Sequence, residues 1–267
     1  MKPDIKLSRL DQMYRMWCML LFLLLTSIPV MASPLTDKAA KAYDQELYTE
    51  ALKLYQQAEL AEGTSSALCC NIGDTYYRLK DTGHAIIYYE RALLLDPGNG
   101  DARFNLDFVR QKSGIGDEAG SSILSIWAGK VVSWFSSNMW ATIGIVSFLL
   151  CLVAVCIYVF MSHVTWRKVG FFGAIVLLLV SILANICAFV NYNRAVNHDT
   201  AIVMAQPATL STAPRTPKDK SEIAFELGLG RKVELIDSVR VKNDLWLNVS
   251  TSDNRSAWIN ASDVEII

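Results

Sequence analysis

Residues 66–99 read SALCCNIGDTYYRLKDTGHAIIYYERALLLDPGN, and this stretch decides the fold of the first half of the chain. Its Ala85, Tyr89 and Ala92 repeat Ala51, Tyr55 and Ala58, 34 residues earlier. Leu68, Asn71 and Ile72 recur in turn as Ala102, Asn105 and Leu106. A period of about 34 residues is one helix–turn–helix unit, whose apolar face is buried only when it stacks on its neighbours. Gly73 and Ala85 are small, which predicts two helices crossing closely, with Tyr76 and Tyr89 filling the space beside them. Asp96-Pro97-Gly98-Asn99 predicts the end of the second helix, because Pro cannot continue one.

Counted from Ser66, the spacing resembles the tetratricopeptide repeat (TPR) family. Ile72-Gly73 fall at positions 7 and 8, Tyr76 at 11, Ala85 at 20, Tyr89 at 24, Ala92 at 27 and Pro97 at 32. Cys69 departs from the pattern, standing at position 4 where the family has Trp. Residues 33–65 read as a weaker first repeat. Residues 101–112 read as a capping helix with Phe104, Leu106, Phe108 and Val109 to bury, which makes 33–112 an all-α TPR domain. Such arrays usually need about three repeats, so the capping helix or a partner is expected to supply the rest. The resemblance implies a protein-binding concave face built by the first helix of each repeat. Here that face would be Tyr43, Asp44, Asp74, Tyr77, Arg78, Phe104 and Phe108. Asn71 matches one Asn of the family's carboxylate clamp, but Thr36, Ala40, Phe104 and Phe108 stand at the flanking positions and the lysines are missing. An aromatic, mildly acidic groove for a helix or extended segment fits better; capping core is the alternative for several of these aromatics.

The chain has 267 residues, of which 52% are hydrophobic, and that share is uneven. Residues 1–32 read as a signal peptide: Lys2, Lys6, Arg9 and Arg15 precede an apolar run that closes on Val30-Met31-Ala32. Cleavage after Ala32 is expected, with retention as an anchor the alternative. Residues 139–161 and 169–190 contain no charged side chain, and each is long enough to span a bilayer. The 162–168 link allows only an antiparallel hairpin. Its Arg167 and Lys168 place it in the cytoplasm by the positive-inside rule, with both flanking domains on the periplasmic side of a bacterial inner membrane. Within the linker 113–138, Ile123, Trp127, Val131, Trp134 and Phe135 recur at helical spacing, as in a helix lying on the membrane surface. The spans carry no ionisable residue, which argues for anchoring over transport. Asn185 is the notable polar residue of the second span, with a partner helix as its expected hydrogen-bonding neighbour.

Residues 191–267 change character. Short alternating runs at 201–204, 232–236, 245–249 and 257–259 lie between turns such as Lys242-Asn243-Asp244, predicting about five strands in a small all-β barrel. Phe225-Glu226-Leu227, Gly228-Leu229-Gly230, the run around Trp246 and the strand Ala257-Trp258-Ile259 resemble a bacterial SH3 domain in their order. Ala257 stands where that family usually has Gly. Trp246 and Trp258 are either the lining of a groove or core. The chain thus reads as three parts: all-α TPR repeats, a two-helix transmembrane hairpin and an SH3-like barrel.

No reaction is legible. His84, His163 and His198 are scattered, no Gly-rich phosphate loop is present, and no metal, cofactor or paired-carboxylate pattern stands out. A net charge of -1 excludes the basic footprint of a nucleic-acid binder. Cys69 and Cys70 are adjacent on one helix, where they point about 100° apart and cannot bridge. The order of parts, with Ala102-Arg103-Phe104-Asn105-Leu106 and the Gly-to-Trp run, resembles the BatE-type proteins of the Bat aerotolerance family. That resemblance implies partners with von Willebrand A-type domains, an associated MoxR-type AAA ATPase, and a part in envelope or oxidative-stress tolerance. The expectation is a non-enzymatic membrane scaffold. A peptidoglycan-binding adaptor acting through the SH3-like part is the alternative.

Overall fold

The computed structural model describes residues 34–115, 129–197 and 199–267. The expected signal peptide, residues 116–128 of the expected linker and surface helix, and His198 lie outside these residues.

Five helices form the first layer. They are α1 (Pro34–Asp44), α2 (Tyr48–Glu62), α3 (Ser66–Arg78), α4 (Thr82–Leu95) and α5 (Gly100–Lys112). Caps set their starts: Ser65, Asp81 and Asn99 accept hydrogen bonds from the backbone N–H groups of Leu68, His84 and Ala102. Each satisfies a donor that the first helical turn leaves orphaned. The echoed positions are the core. Ala51, Tyr55, Ala58, Ala85, Tyr89 and Ala92 are all buried. Tyr89 lies so close over Gly73 that a Cβ there would come 2.8 Å from its ring. On α5, Ala102, Leu106 and Val109 are buried, whereas Phe104 and Phe108 project from another face at 70% and 44% exposure. The expectation that both would fill the capping core is therefore corrected: Phe104 falls two residues after Ala102 and Phe108 two after Leu106, off the buried stripe.

Two apolar helices follow, α6 (Ser137–Phe160) and α7 (Val164–Val196), each long and apolar enough to cross a membrane. The link is shorter than the sequence implied. It spans only residues 161–163, so Arg167 and Lys168 stand in the opening turns of α7. At about 1.5 Å per residue, the 33 residues of α7 run to roughly 50 Å, so its polar ends extend past a hydrocarbon layer of about 30 Å. Small residues line the contact: Gly144, Ser147, Cys151 and Ala154 on α6, and Gly170, Ser181, Ala184 and Ala188 on α7 are buried. The larger apolar side chains, Phe172 and Leu183 among them, face outward. Asn185 donates to the Ser181 carbonyl of its own helix and packs on Gly144. The turn before α6 is helical only to residue 132, so Trp134 and Phe135 are not part of a continuing surface helix.

The C-terminal part starts at Thr200, beyond the end of α7, and holds seven strands where about five were expected. These are β1 (Thr200–Val203), β2 (Ala208–Ser211), β3 (Ile223–Leu227), β4 (Lys232–Val241), β5 (Asp244–Ser250), β6 (Ser256–Asn260) and β7 (Val264–Ile266). They form one antiparallel sheet in the order β3-β2-β6-β5-β4-β1-β7. Register shifts in β2 and β4 bend it. Phe225 and Leu227 of one edge strand and Val264 of the other pack against a single cluster with Leu210, Val249 and Ile259, so the sheet curls around its own core.

The sheet also completes the helical layer. Ile202 and Ile267 belong to the buried cluster of the repeats, and Met204 packs against it. Gly230 has a left-handed φ of 81°, and its backbone comes so near α4 that a Cβ would meet Ile86 at 2.5 Å. The support that a two-repeat stack needs comes partly from this contact.

Candidate functional site

With the sheet against α4, the opposite side of the array is left open. There the first helices line a groove of about 330 Å³. Tyr43 comes from α1, Asp74, Tyr77 and Arg78 from α3, and Phe104, Asn105 and Phe108 from α5, over a floor of Tyr89 and Val109. Six of the seven residues expected from the sequence thus share one surface. Asp44, at the end of α1, is exposed and does not line it.

The floor is polar at one point. Tyr89 Oη and Asn105 Nδ2 both donate to Asp74 Oδ1, at 2.6 and 2.7 Å. Burial pushes the Asp74 carboxyl above the usual range, against the lowering effect of these two bonds. The Tyr55 hydroxyl beneath is pushed up to about 12 by burial and then by the charge of Asp44.

The rim is aromatic and carries two cations. The Arg78 guanidinium lies 4.7 Å from the centre of the Tyr48 ring and 5.9 Å from that of Tyr43. It also pairs with Glu46 at 3.8 Å and donates to the Tyr48 hydroxyl. Lys112 Nζ donates to Tyr77 Oη at 2.7 Å and sits over Phe108. Tyr77 and Phe108 meet edge to face at 5.8 Å. Such contacts hold the rings without covering their outer edges. The aromatic, mildly acidic groove expected from the sequence has Asp74 in its floor, and Lys112 adds a cation beside its rim. Lys112 follows Phe108 by one helical turn, and Asn105 is the 34-residue echo of Asn71; both signals were present in the sequence.

Residues 66–99 match the tetratricopeptide repeat family. This segment is a TPR unit. No curated protein matches the chain. The match covers α3 and α4, the pair that supplies Asp74, Tyr77 and Arg78 to the groove and Tyr89 to its floor.

The other candidate residues lie elsewhere. In the sheet, Trp246 pairs with Asn260, and Trp258 with Asn248. Side chains alternate along a strand, so the two tryptophans are diagonal neighbours on the face opposite Leu247, Val249, Ala257 and Ile259. Trp246 is buried and Trp258 half-buried. Cys69 and Cys70 are buried in α3, where burial pushes both thiols up to about 12. Little thiolate is present at neutral pH, so neither has the character of a redox sensor.

Proposed function

We propose that the chain is a membrane-anchored, non-enzymatic scaffold that holds a protein partner in its TPR groove. One observation carries this reading: Tyr43, Tyr77, Phe104 and Phe108 are gathered on the open side of the array, while the sheet occupies the other. Exposed aromatics set among polar anchors are what a protein interface uses for affinity. The hairpin anchors, and the C-terminal sheet, read as an SH3-like module, braces the array. On the side away from the groove, it would offer a second contact to the same complex.

The resemblance to the BatE-type proteins supports naming the partners by class: membrane proteins with von Willebrand A-type domains, working with a MoxR-type AAA ATPase in envelope or oxidative-stress tolerance. It also supports the periplasmic side of a bacterial inner membrane as the place of both soluble parts. Cross-linking in the membrane, purification in detergent and mass spectrometry of the captured proteins tests this. Von Willebrand A-type proteins are expected with the wild type and lost with Tyr77→Ala plus Phe104→Ala. Capture of muropeptides alone, unchanged in that variant, would replace the scaffold with a peptidoglycan adaptor acting through the sheet.

A further inference from the structure

A second cavity, of about 280 Å³, opens where α4, the turn before α6, the end of α7 and β4 converge. Its polar lining is Glu90, Arg103, Ser133, Asn191, Arg194 and Lys232. Three cations therefore face one carboxylate. Glu90 is already engaged, at 2.9 Å by Lys232 and at 2.7 Å by Arg110. Arg103 gives Nη2 to the Pro97 carbonyl at 2.6 Å, which leaves most of its five donors for a ligand. Arg194 is exposed and has no acidic partner among the described residues.

Asn191 adds an independent sign. It is 2% exposed, and its Nδ2 donates to the Val132 and Phe135 carbonyls at 3.0 Å each. Its Oδ1 is buried without a partner, an acceptor that calls for a donor. The cavity asks for two things together: anionic oxygens for the arginines and a hydroxyl for Asn191. A phosphate ester bearing a hydroxyl provides both.

Its depth indicates the source. The apolar run of α7 ends at Val190, one residue before Asn191, and Trp134, Trp140 and Tyr192 lie at the same end. Interfacial aromatics mark the headgroup layer of a bilayer, and basic pockets at that level bind anionic headgroups. The volume is near the lower limit of about 300 Å³ for ligand pockets, which suits a headgroup.

We propose that this cavity binds the phosphate of an anionic phospholipid, with Arg103 and Arg194 on the phosphate and a headgroup hydroxyl, as in phosphatidylglycerol, donating to Asn191 Oδ1. The proposal rests on the hairpin crossing a bilayer and is independent of any partner in the TPR groove.

The test uses the full chain in nanodiscs of phosphatidylcholine alone, of phosphatidylcholine with phosphatidylglycerol, and of phosphatidylcholine with inorganic phosphate added. Retained lipid is read by native mass spectrometry, and folding by thermal melting. Phosphatidylglycerol should be retained roughly tenfold over phosphatidylcholine and should raise the melting temperature. Arg103→Gln plus Arg194→Gln should abolish the preference. Arg194→Gln alone, at an exposed position, should reduce it even if the double variant folds poorly. Equal retention of both lipids by the wild type, or an undiminished preference in Arg194→Gln, overturns the proposal. So does an equal melting shift from inorganic phosphate in phosphatidylcholine alone, which assigns the site to free phosphate.

Discussion

Gly73 and Asp74 are adjacent on α3 and obey opposite rules. Gly73 serves packing. Tyr89 is 1% exposed and its hydroxyl is tied to Asp74, so the ring cannot swing away from a Cβ placed 2.8 Å from it. Gly73→Ala should lower stability by about 1–3 kcal/mol, the range for overpacking, read from denaturant unfolding. Asp74 serves the groove at the expense of the fold. Its carboxyl pKa is raised by burial, so its contribution is fully present below the ordinary Asp range. That contribution is lost as pH rises through the raised folded value, because the unfolded chain ionises first. Asn can still accept from Tyr89 and Asn105 through its one oxygen. Asp74→Asn should therefore melt at or above the wild-type temperature at neutral pH and fall closer to it in acid, while partner capture weakens. A variant that melts far below the wild type at neutral pH would show that the carboxylate is structural.

Among the elements, the hairpin is where small residues decide geometry. A Cβ on Gly170 would meet the Ala154 carbonyl and the Tyr158 nitrogen at 2.7 Å, both backbone atoms that have nowhere to go. Ser181 Oγ donates to the Gly144 carbonyl at 2.9 Å, and Ser137 Oγ to that of Ala188 at 2.9 Å, which requires the same close approach. Gly170→Ala should separate the helices at their linked end. Disulfide trapping between cysteines introduced at Tyr158 and Phe171 would report this as a lower yield in the variant. How well each element could be read before its structure follows from the range of its forces. The repeats were legible because Ala51, Tyr55 and Ala58 return at one fixed spacing, and the two long apolar helices because apolar length alone marks them. β2 was not legible. Its four residues, Ala208–Ser211, are too few to show a period, and pairing with β3 and β6 makes it a strand. The exposure of Phe104 and Phe108 was also hidden, since an aromatic in a helix looks alike whether it caps a core or lines a groove.

At the scale of the molecule, the contact between repeats and sheet is held by residues far apart in sequence, which is why local patterns gave no hint of it. Glu90 on α4 and Lys232 on β4 are 142 positions apart and meet at 2.9 Å. Arg91 reaches Glu265 at 3.0 Å in the same interface. Glu90 is the centre of the contact, with only 8% of its side chain exposed. Burial pushes its carboxyl up, but Lys232 and Arg110 together outweigh this and hold it below the usual range. A lowered carboxylate contributes stability above the unfolded value of about 4.3, and that contribution is lost as pH falls through the folded value. Docking of the sheet should thus loosen only in acid, below about pH 4. Glu90→Gln removes the charge and leaves two cations facing each other. Because Arg110 and Lys232 keep partial access to water, the loss should be near the lower end of the range for a broken buried pair, about 3 kcal/mol. The variant should also lack the acid-dependent part of the wild-type curve. Thermal melting of both proteins from neutral pH into acid decides the matter: the curves should be widely separated at neutral pH and converge as Glu90 is protonated in the wild type. Parallel curves would mean that Ile202, Ile267 and Met204 hold the sheet by apolar contact alone, and that Glu90 only fills its place between the two cations.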